Sequence, residues 1–116
     1  MTLAERITAA VRKRGAWTVG MVDQDEMVLV EDHSCRPEWL DASENWRYDT
    51  SMGVLDLDAP GTEGGLLSCL ADAKGVTPAE AAGLWYLRVH AAEEEHGSAD
   101  GSSCLALLVL EAWGET

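Results

Sequence analysis

The first fifteen residues repeat their apolar positions with the period of an α-helix. The face that this period predicts to be buried carries Leu3, Ile7, Ala10 and Val11. Thr2 and Glu5 have the spacing of a capping box, and Gly15 is a typical helix end. The basic residues 12–14 fall in the last turn, where cations complement the helix dipole, so this run needs no ligand to explain it.

Period-two alternation follows in two runs, AWTVGMVD and MVLVEDH, separated by Gln24-Asp25-Glu26. They predict an antiparallel hairpin with strands near 16–23 and 27–33. Pro37 then fits the first residue of a short helix, followed by an irregular loop up to residue 50. The run SMGVLDLD predicts a strand near 52–57, which Ala59-Pro60-Gly61 stops.

The second half of the chain begins with a helix near 63–74, capped near Thr62 and ended by Gly75. Thr77-Pro78-Ala79-Glu80 starts another helix, which we expect near 78–82 because Gly83 interrupts it. LWYLRVHA then alternates like a strand, and SCLALLVLEAW follows after the turn-rich HGSADGS. These two runs predict a C-terminal hairpin with strands near 84–93 and 103–112.

The predicted elements define an α+β fold. We expect a small, mostly antiparallel sheet of about five strands, including both hairpins, with the helices packed on one face. The length of 116 residues and an apolar content of 47% suit one compact domain over 1–116.

The net charge of the chain is −13, and it is unevenly distributed along the sequence. Residues 1–20 hold four basic residues and one acidic residue, while the rest of the chain holds four basic and twenty acidic residues. Such a field disfavours phosphate backbones and favours basic surfaces, so we expect no direct DNA binding. Acidity that serves only solubility is the open alternative.

The cellular compartment of the protein is predicted from its cysteines and from the composition of its N-terminal residues. Cys35, Cys69 and Cys104 are odd in number and widely spaced, which indicates a reducing environment. The charged residues near the N-terminus do not fit a secretory signal, and the longest apolar run is too short for a membrane span. We therefore expect a cytoplasmic protein without a membrane partner.

The stretch LADAKGVTPAEAAGLWYLR, residues 70–88, offers an alternative function as a helix-turn-helix DNA-binding regulator. In such a corner a small residue lets the two helices pack closely, a glycine in the turn is left-handed, and an apolar residue follows it. Ala71, Gly75 and Val76 fit these three positions in that order. The strand expected over 84–91 opposes this reading. So does the charge of the second helix, since major-groove readers need Arg, Lys, Asn or Gln.

Candidate chemistry is weak at each place where reactive residues gather. His33 beside Cys35 invites a nucleophile or a metal site, but neither a third orienting group nor a second local thiol accompanies them. His90 with Glu94 lacks the second histidine of a zinc-protease motif. We expect no catalytic residues, no cofactor and no metal, with an enzyme or metal site near residues 33–35 as the alternative.

An acidic surface that bears aromatic residues is the strongest functional signal. Trp and Tyr anchor protein interfaces, and acids around them steer basic partners. The candidate partner-binding residues are Asp23, Asp25, Glu26, Glu31, Asp32, Trp39, Asp41, Glu44, Trp46 and Tyr48. Buried tryptophans with merely solvated acids are the competing interpretation.

The hypothesis is therefore a small non-enzymatic acidic protein that binds and inhibits a basic or nucleic-acid-binding macromolecule. Mimicry of nucleic acid is one form that this inhibition could take. Anti-defence proteins of phages, such as anti-CRISPR proteins, and immunity proteins against nuclease toxins are of this physical type. The analogy is one of charge and size.

Overall fold

The computed structural model describes residues 1–31, 34–43 and 46–115. The chain divides into two compact units, Met1–Gly65 and Leu66–Thr116. The single domain expected over residues 1–116 therefore remains a prediction.

Helix α1, Leu3–Arg14, opens the first unit and confirms the first predicted element. The Thr2 hydroxyl accepts from Glu5 N at 3.1 Å, and the Glu5 carboxylate accepts from Thr2 N at 3.0 Å. Gly15 ends the helix in the left-handed region, with φ 62°. Because the cap is local in sequence, it could be read from residue spacing alone.

The sheet of the first unit has three antiparallel strands in the order β1-β2-β3. They are β1 Val28–Glu31, β2 Pro37–Leu40 and β3 Arg47–Asp49. Leu29 pairs with Trp39, and Trp39 pairs with Tyr48, so these three side chains follow one face of the sheet.

Several predictions for the first unit are wrong. The α+β class is confirmed, but the described residues form three strands and not about five. The short helix predicted from Pro37 is strand β2, which suits a proline because it is the first residue of the strand. The strand near 27–33 is confirmed over 28–31, while Asp32 and His33 lie outside the described residues.

The segments predicted as strands near 16–23 and 52–57 are irregular and form no strand, and a turn at Val19 and Gly20 is closed by a hydrogen bond from Met21 N to Thr18 O. They take part only in the bridges that join Val22 to Val28 and Asp23 to Leu55. Their backbones bond to several different neighbours, as when Gln24 N donates to Val54 O and Asp56 N donates to Val22 O. The two strand predictions for these segments are therefore wrong, because no continuous ladder forms there.

The core of the first unit gathers around Trp39, which is fully buried. The Trp17 ring meets it edge to face, with centroids 5.6 Å apart. Met21, Leu29 and Leu55 are equally buried. This packing uses large side chains from the sheet and from both irregular segments, so these segments are held by burial where strand pairing is sparse.

Side-chain hydroxyl groups tie the irregular segments to the helices. Thr8 in α1 donates to Ala4 O and accepts from Leu55 N at 2.9 Å. Thr62 accepts from Val22 N at 3.0 Å and donates to Val22 O at 2.9 Å. Buried backbone groups outside the ladder thus receive the partners that burial requires.

Three helices form the rest of the structure. Helix α2, Pro60–Lys74, begins in the first unit and continues into the second, and it confirms the helix predicted near 63–74. Helix α3 spans Pro78–His96 and α4 spans Gly101–Trp113. Among the described residues, no helix combines the length and apolar character that a membrane span requires.

The predicted C-terminal hairpin is wrong. The strands expected near 84–93 and 103–112 belong to α3 and α4, and the short helix near 78–82 is the start of the 19-residue α3. Gly83 does not break α3, because one glycine costs a helix only about 1 kcal/mol, which capping and packing can offset. Thr77 and Glu80 form a capping box, and Gly97 closes the helix at φ 80°.

Helices α3 and α4 are joined by polar contacts as well as by packing. Trp85 Nε1 donates to Gly101 O at 2.7 Å. Arg88 donates to Glu111 through Nη1 and Nη2, at 2.9 and 2.8 Å. The bidentate geometry fixes the register of the two helices.

Candidate protein-binding surface

The antiparallel order of the sheet brings three chain segments to one of its ends. The beginning of β1, the end of β2 and the beginning of β3 meet there, as the pairs Val28–Leu40 and Leu40–Arg47 show. Asp41 N donates to Trp46 O at 3.1 Å just beyond the ladder. We call this surface the Trp46 sheet end, and it consists of Asp25, Glu26, Val28, Asp41 and Trp46.

Trp46 is the most exposed aromatic ring of the first unit, with 62% of its surface accessible. Val28 is 38% exposed, and Asp25 and Glu26 are exposed next to it in the chain. Asp41 Oδ1 accepts from Trp46 N at 3.3 Å and from the Ser43 hydroxyl at 2.9 Å. The sheet end therefore presents a large apolar ring among carboxylates.

Asp23 shapes the turn that carries Asp25 and Glu26. It is 1% exposed, and its Oδ1 accepts from Asp25 N and Met27 N, both at 2.9 Å. Glu26 takes a left-handed conformation, with φ 63°. The side-chain acceptor replaces backbone partners that the tight turn lacks, so Asp23 positions the exposed acids and is itself enclosed.

Tyr48 closes this turn from the third strand. Its hydroxyl donates to Asp23 Oδ2. Burial, this hydrogen bond and the negative charges of Asp23 and Asp25 all raise the pKa of Tyr48 well above its ordinary value. The phenol therefore stays protonated and serves as a donor that holds Asp23 in place.

The structure separates the predicted partner-binding residues into three groups. Trp39 and Asp23 are buried and Tyr48 is half-buried, so they build the surface from below. Glu31 is exposed but lies at the other end of β1, paired with Pro37. Asp41 and Trp46 contact each other at the Trp46 sheet end, and Asp25 and Glu26 lie at the same end because they come shortly before β1.

Two of the predicted partner-binding residues, Asp32 and Glu44, lie outside the described residues. A binding role remains a prediction for every residue of the set.

A second exposed surface, on α3, was missed by the sequence reasoning. Leu84, Tyr86 and Leu87 are 37%, 69% and 62% exposed. With Val76, Glu80 and Gly83 they line an open apolar groove. We call Val76, Glu80, Gly83, Leu84, Tyr86, Leu87 and His90 the α3 face.

Helical spacing is the signal that could have found this face. Positions 80, 83, 84 and 87 recur every three or four residues and therefore share one side of a helix. The strand assignment split these residues between two faces of a sheet and hid the pattern.

Reactive side chains gather no metal site within the described ranges. No group of three or more His, Cys, Asp or Glu side chains there could hold an ion. Cys69 and Cys104 are buried, and Cys35 is exposed. The alternative site near residues 33–35 includes His33, which lies outside the described residues.

The corner between α2 and α3 joins two helices through a glycine. Gly75 is left-handed at φ 66°, and the strand that we expected over 84–91 is helical. The exposed acids on α3 are Glu80, Glu93, Glu94 and Glu95. Arg88, the single basic side chain of α3 besides its histidines, is bound to Glu111. The acids of α3 do not suit contact with DNA phosphates or base edges.

Comparisons with protein-family models, with curated proteins and with solved structures find no significant match to this chain.

Proposed function

We propose that this protein is a non-enzymatic binding protein that docks the Trp46 sheet end onto a basic surface of a larger macromolecule and thereby blocks that surface. The observation that carries the proposal is Trp46, 62% exposed at a sheet end that also bears Asp25, Glu26 and Asp41. A large ring held in water exposes apolar area that binding would bury, and tryptophan is among the residues that dominate binding energy.

Charge supports a basic partner. The net charge of −13 attracts positive surfaces over the range of the Debye length, and the acids beside Trp46 add local complementarity. Nucleic-acid-binding proteins present such surfaces, lined by Arg and Lys. The proposed effect is inhibition, because an occupied phosphate-binding surface is closed to nucleic acid.

The turn that carries the acids favours binding without rearrangement. Asp23 and Tyr48 fix it from inside through hydrogen bonds. Docking then costs less conformational entropy than it would with a mobile loop.

The test begins with capture of partners from the native host on the immobilised protein, followed by titration of the captured partner in solution. Trp46→Ala is expected to weaken binding about 30-fold or more, as for an interface anchor. Asp25→Lys with Glu26→Lys is expected to weaken binding strongly at about 50 mM salt and less at about 500 mM.

A matched control reverses two exposed acids of the second unit, Asp72→Lys and Glu93→Lys, and changes the net charge equally. The proposal fails if this control weakens binding as much as the sheet-end variant does. It also fails if folded Trp46→Ala binds like the wild type.

A second candidate function is DNA binding through the corner between α2 and α3, and the left-handed Gly75 between two helices is the observation that favours it. Fluorescence anisotropy with labelled duplex DNA at low salt tests it. Binding that weakens steeply with salt and is lost in Arg88→Ala would support this function.

A further inference from the structure

The centre of the α3 face is an open apolar groove. Leu84, Tyr86 and Leu87 line it with exposed side chains, and Gly83 adds no side chain between them. Contiguous exposed apolar surface of this kind marks an interaction site more often than scattered single residues do.

The two ends of this groove are acidic. Glu80 lines it at the N-terminal end, and residues 93–95 beyond its C-terminal end are all glutamates. Arg88 is the single Lys or Arg of α3, and it is bound to Glu111 of α4. The second unit as a whole holds eight acidic and two basic residues. A ligand of this face therefore meets apolar side chains in the middle and negative charge at both ends.

The glutamates 93–95 stand against the helix dipole. The last turn of a helix carries a partial negative charge, so acids there lower helix stability and cations there raise it. Glu94 lies 3.3 Å from His90, and Glu95 lies 3.8 Å from His96, but a histidine is charged only when it is protonated. The dipole and the three acids thus add up to a negative potential that a cation from outside would relieve.

We propose that the α3 face binds a basic amphipathic helix of a partner protein. The apolar stripe of that helix lies in the groove, and its Lys or Arg side chains lie near Glu80 and near residues 93–94. The proposal concerns a surface of the second unit and does not depend on the Trp46 sheet end.

Charge complementarity selects this occupant. A second copy of the chain would bring another net charge of −13 to an acidic face. Helices that lie on membranes present Lys and Arg on their polar face, and the single arginine of α3 is held by Glu111. A basic helix supplies the apolar area and the positive charge that this face lacks.

The spacing of the acids sets the length of the bound helix. Glu93 and Glu94 come about two turns after Tyr86 and Leu87, so these acids continue the same side of α3. Glu80 and Glu94 are about 21 Å apart along the axis, at about 1.5 Å per residue. A bound helix of about 15 residues therefore covers the groove and reaches both acidic ends. Its apolar residues recur every three or four positions.

A synthetic peptide is the probe that tests the proposal. It has about 15 residues, with leucines at helical spacing and lysines near both ends, and it carries a fluorophore. Anisotropy is measured against the full chain. Because the contact is smaller than a standard interface, the expected dissociation constant is about 10 to 100 µM at about 50 mM salt, and it rises about 5-fold at about 500 mM.

Two control peptides separate the contributions of shape and charge. A scrambled peptide keeps the composition and loses the apolar stripe. A second peptide keeps the stripe and has Gln in place of Lys. Both are expected to bind at least about 10-fold more weakly than the probe at low salt.

Leu87→Asp tests whether the groove is used. This substitution adds a negative charge, so attraction by charge alone would strengthen binding of the basic peptide. Docking in the groove predicts the opposite, a loss of about 10-fold or more. Leu87→Ala keeps a good helix former at this exposed position and is expected to weaken binding about 5-fold.

The acidic end of the groove is tested by Glu93→Lys with Glu94→Lys. This variant is expected to weaken binding about 10-fold at about 50 mM salt and much less at about 500 mM. The matched control is Asp25→Lys with Glu26→Lys at the Trp46 sheet end, which changes the net charge equally. The control is expected to weaken binding less than about 2-fold, because salt screens distant charges.

The proposal is overturned if either control peptide binds like the probe, or if the folded variants at Leu87 bind it as tightly as the wild type. It is also overturned if the sheet-end control loses as much binding as the variant of residues 93–94, which would place the peptide at the Trp46 sheet end. Sedimentation equilibrium of the protein alone adds a last outcome. A dimer that Leu87→Asp dissociates would assign the face to a second copy and overturn the proposal.

Discussion

The two units are stabilised over very different distances along the chain. In the first, Thr8 binds Leu55, Arg12 binds Thr50 and Gly53, and Thr62 binds Val22, with partners that lie 38 to 47 residues apart in the chain. In the second, the hydrogen bonds that define the helices are caps within three or four residues, such as Thr77 with Glu80. Contacts between α3 and α4, such as Trp85 with Gly101, reach further.

This difference bears on how each unit presents a surface. The Trp46 sheet end depends on a buried network beneath it, while the α3 face requires only that a capped helix should form. We therefore expect substitutions in the buried network to disrupt the Trp46 sheet end by destabilising the fold beneath it. Substitutions on the α3 face are expected to change that surface without unfolding the helix.

The largest expected effect is on the free energy of unfolding, and it is tested by alanine substitutions at two glycines. A Cβ at Gly53 would lie 2.2 Å from Trp39 Nε1, and Trp39 is enclosed by Trp17 and Tyr48. Gly53→Ala is expected to lower the free energy of unfolding by about 3 kcal/mol through overpacking. Urea denaturation followed by tryptophan fluorescence measures it.

The matched control is Gly83→Ala, where the new Cβ meets nothing within 4 Å. It is expected to raise the free energy of unfolding by about 0.5 to 1 kcal/mol, since alanine favours the helix. Equal effects of the two substitutions would contradict the contrast between the units.

An intermediate effect is expected from the tyrosines. Tyr48→Phe removes the donor to Asp23 and is expected to cost about 2 kcal/mol, as for a hydrogen bond to a charged group. Tyr86→Phe makes the same chemical change at a ring that is 69% exposed and is expected to cost almost nothing. Thermal unfolding of both variants at neutral pH measures the difference.

The stabilisation by Tyr48 depends on pH. Because its pKa is raised in the folded state, this stabilisation is fully present below the ordinary tyrosine pKa of about 10 and is lost as the pH rises through the folded value. The gap between the wild type and Tyr48→Phe should therefore narrow in strong alkali. A gap that is constant with pH would mean that the hydroxyl does not bind Asp23.

The smallest expected effect is at the ion pair between α3 and α4. The hydrogen bonds from Arg88 lower the pKa of Glu111, so its stabilisation is present above about pH 4.3 and is lost as the pH falls through the folded value. Glu111→Gln is expected to cost about 0.5 kcal/mol at neutral pH, because both side chains are partly exposed.

The control for this pair is Glu93→Gln, an exposed acid of α3 that removes the same charge. Calorimetric unfolding at neutral pH and near pH 3 compares the two. The expectation fails if both variants lose the same stability at both pH values.

Local signals predict the ends of α1 and the end of α2 correctly. The capping box of Thr2 and Glu5 and the left-handed Gly15 bound α1 as predicted, and Gly75 ends α2. These signals act within four residues, so neighbours in the fold have little influence on them.

The C-terminal prediction failed because short apolar runs fit two periods. LWYLRVHA alternates apolar and polar residues like a strand. Its apolar residues also fit a helix in which two sides carry apolar side chains. The capping box at Thr77 and Glu80 and the absence of a turn residue other than Gly83 before Gly97 favoured a long helix. Gly83 alone does not end a helix that begins with a capping box.

The candidate site was predicted in composition but not in arrangement. Asp23 and Trp46 belong to the same acidic, aromatic segment, but one is enclosed and the other is exposed. Alternation along β2 could suggest that Trp39 points inward, but the sequence does not show that Gly53 lies against it.

The sequence by itself determined the acidity of the chain, the two ends of α1 and the first residues of α3, because charge and local hydrogen bonding depend on neighbours in the chain. Only the tertiary structure decided which acids and rings reach the surface and whether α3 is a helix over its full length. Burial depends on which distant segments meet, and a hydrophobic pattern that suits two periods is settled by the surface that it packs against.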